Sequence, residues 1–400
     1  MESNLRIEAI DATPVTVPMV APLRWSMGVE TGTTRCIVQV RTRAGITGIG
    51  ETYGGKATVE AIRFLTERFR GMDCWEVDRM SRIAQSFRIA YETFVPAHVY
   101  AGIEMALWDI LGKATGQPVA KLLGGIFRDH VPVSAYLFYR YLGPSGVGGE
   151  DTPEAMADRA EELVATHGFE VVKVKGGVFA PVEELRTLQA LRQRLPDAKL
   201  RYDPNAAWSV ETAVTMLPKM AAVGLEYAED PTDLIEGMAR VRASVPVPLA
   251  TNMCVTRFGE IPLGFRLGAV DVILSDVHFW GGLAQCRKLA GVAETLQIGL
   301  GMHSDRELGV STAAMVQFAA ATPTLAYAID SHYHDQADDI ITQPWVYEHG
   351  GFRLPEGPGL GVEVDWDKVR HYHERYLAEG QVNEFFDPHR PGWIPILPLY

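Results

Sequence analysis

The sequence lacks several features that would mark particular classes of protein. Its four cysteines (Cys36, Cys74, Cys254 and Cys286) lie far apart and form no CxxC pair, so neither a disulfide scaffold nor a zinc knuckle is expected. No apolar run approaches the roughly 20 residues that span a bilayer. No cluster of lysines and arginines offsets the formal net charge of −13, which argues against nucleic acid and anionic membranes as partners.

The N-terminal segment also lacks the pattern of a secretory signal. Glu2, Glu8 and Asp11 stand where such a signal would have a basic start and an apolar core. Together with the unpaired cysteines, this predicts a soluble protein of the cytoplasm. An acidic protein can still bind an anionic small molecule, because a metal ion and a few cations can focus positive potential inside a site.

Length and periodicity divide the chain. At 400 residues it is longer than one hydrophobic core usually supports, while 47% hydrophobic and 22% charged residues are ordinary for a globular protein. Residues 1–130 are predicted to form an α+β unit, and we expect Gly112 and residues 116–118 to interrupt its last helix. The strand and helix patterns of this unit cover residues 6–18, 34–51 and 97–123.

From residue 131 the pattern changes to short apolar strands that alternate with amphipathic helices. The predicted strands cover residues 131–139, 171–175, 200–205, 225–230, 249–253, 270–276, 298–304 and 326–332. Eight strands that alternate with helices indicate a parallel barrel over residues 131–355. Residues 356–400 are expected to return to the first unit.

Polar side chains recur at the carboxyl ends of these apolar strands. An isolated Asp or Asn after a strand is more often a turn former or a helix cap. Here, however, one ionisable or amide group appears in each of six consecutive units, and strand ends of a barrel converge on one mouth. The residues are Tyr136, Lys173, Lys175, Asp203, Asn205, Glu229, Asn252, Asp276, His303 and His332.

Three of these residues offer hard oxygen ligands. Asp203, Glu229 and Asn252 stand on three consecutive strands, and two carboxylates with one amide suit Mg²⁺, which also takes oxygens from water and substrate. No His or Cys joins the set, so zinc is not expected.

The remaining strand-end groups suggest proton transfer. Lys173 and Lys175 are two residues apart, so both face the same side of their strand. Beside a metal and a second ammonium, a lysine pKa should fall far enough for the group to act as a base. Asp276 and His303 lie on adjacent predicted strands, as a carboxylate and the imidazole that it orients would.

With these residues in place, the chain resembles the enolase superfamily, in its mandelate racemase-like branch and most closely the glucarate dehydratases. The resemblance runs nearly end to end. Asn252 is its most specific residue, because most relatives place a carboxylate at that position. The strings that carry it cover residues 102–114, 173–177, 203–209, 229–231, 250–253, 275–280, 303–304, 328–332 and 390–391.

The resemblance implies a fold of class α/β: a (β/α)7β TIM-like barrel, with an α+β N-terminal capping domain completed by the C-terminal tail. Loops at residues 25–34 and 51–55 would cap the barrel mouth and select the substrate. Mg²⁺ would be the cofactor, and the protein would form a homo-oligomer. Implied ligands are Asp203, Glu229 and Asn252; implied catalytic residues are Lys173, Lys175, Asp276 and His303; implied substrate contacts are Tyr136, Asn205, Ser304, Asp305, His332 and Arg390.

Two departures from the glucarate dehydratase pattern concern the substrate. Asp305 stands where asparagine is usual, beside the predicted substrate contacts, and adds negative charge. Residues 20–32 do not follow the expected loop pattern. Both changes leave the metal and base positions filled.

The expected activity is therefore Mg²⁺-dependent dehydration of an acid sugar, an aldarate such as glucarate or galactarate, to a 2-keto-3-deoxy acid. Arg390 would grip the distal carboxylate of the aldarate in a bidentate fork. The alternatives are an aldonate dehydratase and a racemase or epimerase that uses the same two bases. A barrel kept only for binding or scaffolding is a third hypothesis, which predicts no Mg²⁺-dependent turnover.

Overall fold

The computed structural model of the chain describes residues 4–90 and 96–400. Its first domain is an antiparallel sheet with helices packed against it. The strands are β1 (Ile7–Trp25), β2 (Gly28–Thr42) and β3 (Thr47–Tyr53), and the helices are α1 (Lys56–Phe69), α2 (Val77–Ala90), α3 (Ala97–Thr115) and α4 (Val119–Leu122). Residues 25–34, expected to be a loop, form instead the tight β1–β2 hairpin, because Trp25 pairs with Gly28 and the ladder continues from there.

The helix α3 packs unusually close to β3. Gly48 and Gly50 of β3 lie so near the backbone of α3 that an added Cβ would fall 2.0 Å from a carbonyl oxygen, that of Ala106 or Gly102. The expected break at Gly112 is wrong, since α3 continues through it and ends at Gly116, which has the left-handed conformation common after helices. Glycine at positions 48 and 50 thus sets the distance between sheet and helix.

The barrel follows, with parallel strands that alternate with helices. The strands are β5 (Ser134–Arg140), β6 (Val171–Lys175), β7 (Lys199–Asp203), β8 (Leu225–Glu229), β9 (Leu249–Thr251), β10 (Val272–Ser275) and β11 (Gly299–Met302). The helices are α5 (Pro153–His167), α6 (Pro181–Arg194), α7 (Val210–Ala221), α8 (Ile235–Arg242), α9 (Ile261–Leu267), α10 (Leu283–Leu296) and α11 (Gly309–Ala321). The expected α/β class, a TIM-like barrel with a capping domain, is confirmed.

Two predicted barrel strands differ in detail. The predicted strand at residues 326–332 is not a regular strand. Ile329 pairs with Val133 at a single position, and Leu325, just before the predicted strand, pairs with Leu300, so no continuous ladder forms. The predicted first strand is divided, because β4 (His130–Pro132) turns away to pair with β12 (Gly351–Arg353) before β5 begins. The segment at residues 325–331 nevertheless bridges the two ends of the parallel sheet.

Separate hydrophobic cores support the two domains. Leu65, Phe69 and Ile103 belong to a core in the first domain, whereas Val172 and Leu200 belong to the larger core around the barrel. The tail helix α12 (Trp366–Glu379) packs against β1, where His373 Nδ1 lies 2.7 Å from the carbonyl oxygen of Pro14. The tail thus returns to the first domain. The domain boundaries at residues 130 and 355 stay a prediction. Within the described ranges, every helix is too short or too polar to cross a membrane.

We predict that Gly50→Ala destabilises the protein, because the new methyl group meets backbone atoms that cannot move independently. The free energy of unfolding should fall by about 2–3 kcal/mol, in the range typical of overpacked cores. Gly291→Ala in α10 is the control, since an added Cβ there meets nothing within 4 Å and helix propensity favours alanine. Thermal unfolding of both variants measures the effect, and equal melting temperatures would contradict the close packing.

Candidate active site

The barrel strand ends meet in a cavity of about 320 Å³ beneath the first domain and the tail. Trp25 and Glu30 come from the β1–β2 hairpin, and Glu384 and Phe385 come from the tail. From the barrel, the cavity is lined by Tyr136, Phe138, Lys175, Asn205, Asn252, Met253, Phe279, His303, Ser304, Asp305, Arg306 and His332. The structure therefore gathers most of the residues predicted from strand ends in one place.

The predicted metal ligands end three consecutive strands. Asp203 and Glu229 are the last residues of β7 and β8, and Asn252 directly follows β9. Neither carboxylate oxygen of the fully buried Glu229 accepts a well-directed hydrogen bond within the described residues, although Lys173 Nζ lies 2.6 Å from Oε2. Burial raises the pKa of Glu229 to about 8. A carboxylate with so few donors fits a divalent cation, so these residues suit Mg²⁺.

Lys173 is held by carboxylates on several sides. Its Nζ lies 2.6 Å from both Glu229 and Asp330 and 3.6 Å from Asp203. Burial alone would lower its pKa, but Asp330 and Glu229 hold the pKa well above its usual range. Of the two lysines on this strand, Lys173 therefore stays an ammonium.

Asp330 was missed by the sequence analysis. It lies near the end of the irregular segment at residues 325–331 and is fully buried. Its carboxylate accepts hydrogen bonds from Lys173 and from Ser134. A carboxylate next to His332, at the end of the last predicted strand, was the available signal. Lys175 faces the cavity instead, donating to Asp203 at 2.8 Å and to Asn205 at 2.7 Å.

His303 and Asp276 form the expected pair. His303 Nδ1 lies 2.8 Å from Asp276 Oδ2, while Oδ1 accepts from the backbone N–H groups of His278 and Phe279. Burial would raise the pKa of Asp276, yet hydrogen bonds from His278 and His303 hold it far below its usual range. Burial alone would lower the pKa of His303, but the hydrogen bond to Asp276 raises this pKa above its ordinary value. With Nδ1 committed to Asp276, Nε2 of His303 is the nitrogen left for proton transfer.

A second histidine is fixed by its neighbours. The Ser304 hydroxyl donates to Glu307 at 2.6 Å and lies 2.9 Å from Nδ1 of His332. His332 packs against the ring of Tyr136, whose hydroxyl donates to Asp203 at 3.0 Å. Since the Ser304 proton points to Glu307, Nδ1–H of His332 donates to Ser304. Nε2 of His332 is then a hydrogen-bond acceptor.

Arg390 does not line the cavity. Its guanidinium pairs with Asp387 and lies over the ring of Trp393, 3.8 Å from the centroid. The expected grip on a distal carboxylate therefore has no support in the geometry. The guanidinium that does line the cavity belongs to Arg306.

Arg306, Glu30 and Glu384 were all missed by the sequence analysis. Arg306 directly follows the strand-end residues 303–305 and could have been suspected on that ground. Glu30 and Glu384 carried no signal, because they reach the cavity from the hairpin and the tail rather than from a barrel strand.

A parallel barrel with ionisable groups gathered at its covered mouth is typical of the (β/α)-barrel enzymes. Residues 9–124 match the mandelate racemase / muconate lactonizing enzyme N-terminal domain, and residues 155–368 match the enolase C-terminal domain-like family. The chain therefore belongs to the enolase superfamily.

Similarity to known sequences and solved structures supports this assignment. The chain is 40% identical to a probable glucarate dehydratase of Streptomyces coelicolor, over 95% of this chain and 94% of the relative. An enolase from Mycobacterium smegmatis complexed with tartrate is 38% identical, with a TM-score of 0.94 and full coverage of both chains. An enolase from Gibberella zeae, complexed with magnesium, formate and sulfate, is 35% identical, with a TM-score of 0.93 over 99% of this chain and 98% of that chain. The family is Mg²⁺-dependent, and magnesium is the cofactor.

We predict that Asp276→Asn lowers the pKa of His303 below its ordinary value of about 6.5, because burial then acts without the counter-charge. In the parent protein the raised pKa of His303 contributes to the free energy of unfolding. This contribution is fully present below pH about 6.5 and is lost as the pH rises through the pKa of His303 in the folded protein. The variant should lose that contribution. NMR titration of the histidine ring nitrogens measures the pKa.

Asp338→Asn is the matched control for this titration. It removes a carboxylate that is paired with Lys368 away from the cavity, so the His303 titration should not move. An unchanged His303 pKa in Asp276→Asn would show that the pair does not set the protonation of the imidazole.

Proposed function

We propose that the chain is a Mg²⁺-dependent dehydratase of acid sugars, which removes the proton next to a carboxylate and expels the β-hydroxyl. The observation that carries the proposal is one cavity lined by Lys175 on β6, Asn252 after β9 and His303 after β11. It thus has a proton-transfer group on either side of a set of oxygen ligands. The similarity to a probable glucarate dehydratase supports an acid-sugar substrate.

In this proposal Asp203, Glu229 and Asn252 hold the Mg²⁺. When bound, the ion supplies positive charge that stabilises the substrate carboxylate as negative charge develops on it. Lys173, kept charged by Asp330 and Glu229, adds a second cation near the same position. The chain's own carboxylates thereby fix both positive charges at the reacting end of the substrate.

The proton transfers follow from the two flanking groups. Either Lys175 or His303 accepts the α-proton, according to the configuration at that carbon. Protonated His303 then donates a proton to the departing β-hydroxyl, which leaves as water. The enol that remains takes up a proton at C3 and becomes a 2-keto-3-deoxy acid. Asn205, Ser304 and Tyr136 contact the substrate in this scheme.

The same groups would also serve an acid-sugar racemase or epimerase. There the α-proton would be exchanged between Lys175 and His303, and the β-hydroxyl would stay in place. We favour elimination because the chain is 40% identical to a probable glucarate dehydratase. Aldarates such as glucarate and galactarate, and also aldonates, fit the reacting end equally well. A homo-oligomer stays a prediction.

We predict that a panel of aldarates and aldonates with Mg²⁺ contains at least one acid converted to a 2-keto-3-deoxy acid, detected by semicarbazide absorbance. His303→Asn should reduce this turnover at least about 1000-fold, because general acid–base catalysis commonly contributes 100- to 10,000-fold. Isothermal titration calorimetry should show nearly unchanged Mg²⁺ affinity for this variant.

Glu229→Gln is the complementary variant. It should weaken Mg²⁺ binding at least about tenfold, since a charged ligand is replaced by a neutral one. Near-normal turnover by His303→Asn, or no turnover of any acid sugar by the parent enzyme, would defeat the proposal.

A further inference from the structure

A buried ion cluster lines the cavity that Asn252 also lines. Arg306, at its centre, has a left-handed backbone (φ 61) and a side chain only 7% exposed. Its guanidinium lies 2.6 Å from Asp305, 2.7 Å from Glu384 and 3.3 Å from Glu30. We call these four residues the roof cluster. All four line the same cavity as Lys175 and His303.

The roof cluster has more negative than positive charge. Three carboxylates surround one guanidinium, so the positive charge of Arg306 is already compensated inside the protein. Burial raises the pKa of Glu30 to about 8, with Arg306 opposing and Glu384 adding to the rise. Burial therefore favours the protonated form of Glu30. Even so, Asp305 and Glu384 together outweigh Arg306.

No other lysine or arginine of the described lining is available to a second carboxylate. The lysines and arginines among the lining residues are Lys175 and Arg306. Lys175 is bound to the predicted metal ligand Asp203 and to Asn205. Arg390, which sequence similarity suggested for this task, is paired with Asp387.

We propose that the roof cluster makes this enzyme selective for acid sugars with one carboxylate, aldonates, over aldarates with two. The inference rests on the proposed function and concerns the end of the substrate that does not react. A distal carboxylate would meet the carboxylates of Asp305 and Glu384 in a site shielded by Trp25 and Phe385, where charge repulsion is strong.

A distal hydroxymethyl group suits the same surroundings. A hydroxyl donates one hydrogen bond and accepts two. It can therefore donate to Glu384 or Asp305 and accept from protonated Glu30 or from Arg306. The roof cluster offers both kinds of partner to a neutral polar end.

The test compares acids that are identical except at C6. Gluconate with glucarate, and galactonate with galactarate, share the configuration of C2 to C5 and differ in a hydroxymethyl group against a carboxylate. For each pair and for further stereoisomers, kcat/KM with Mg²⁺ is measured, together with the thermal stabilisation that each acid gives to the Mg²⁺-loaded protein. We expect kcat/KM to be at least about tenfold higher for the aldonate of the accepted configuration.

Glu384→Gln should shift this preference. Removing one carboxylate leaves Arg306 less compensated, so the ratio of aldonate to aldarate kcat/KM should fall about tenfold or more. A merely structural effect would change both substrates alike and leave the ratio unmoved. Glu374→Gln is the control, because Glu374 is an exposed carboxylate on the nearby helix α12, and the ratio should stay that of the parent.

The outcomes separate the two proposals. Turnover of an aldarate in preference to its matched aldonate overturns the roof-cluster inference and leaves the dehydratase proposal intact. Turnover of neither class, with stabilisation by aldonates alone, supports the selectivity while the dehydratase proposal fails. Stabilisation by aldarates as strong as by aldonates, or a Glu384→Gln ratio equal to that of the parent, counts against the roof cluster.

Discussion

A buried network of carboxylates and cations at the end of the barrel is the constraint on which the rest of the site depends. Asp203, Glu229 and Asp330 lie within 4 Å of Lys173, all almost without solvent exposure. Buried charges of one sign are costly unless cations compensate them. Lys173 is one such cation, and Lys175 lies 2.8 Å from Asp203 while Arg201 lies 3.5 Å from Asp330. The case for a divalent cation at Asp203, Glu229 and Asn252 therefore rests on ligand type, and on the Glu229 oxygens that accept no well-directed hydrogen bond within the described residues.

The first domain is held over this site by a second set of buried charges. Arg35 and Glu51 form a buried ion pair between β2 and β3. Glu51 also accepts from the backbone N–H groups of Leu308 and Ser311, at the beginning of α11. Because α11 follows the loop that carries Arg306, this contact fixes the hairpin relative to the barrel end. Glu30 is thereby placed against Arg306, so domain position and substrate recognition depend on the same contact.

Sequence reasoning succeeded where a periodic pattern carried the information. Asp203, Glu229 and His303 could be predicted because each ends an apolar strand, and parallel strands bring their ends together. It failed where long-range contacts decide the outcome. The high pKa of Lys173 depends on Asp330, which lies 157 residues away along the chain. Arg306 was overlooked because it follows its strand by several residues, although its position beside the cavity makes it the central cation of the roof.

The proposed dehydration delivers a proton to a leaving group, and the fate of the α-hydrogen tests this proposal most directly. The enzyme with Mg²⁺ and an accepted acid sugar in D₂O is followed by NMR. Dehydration predicts a 2-keto-3-deoxy acid carrying one deuterium at C3, with no deuterium at C2 of the recovered substrate beyond what reversal of the first step returns. Deuterium accumulating at C2 with no keto acid would contradict the account and identify proton exchange as the reaction.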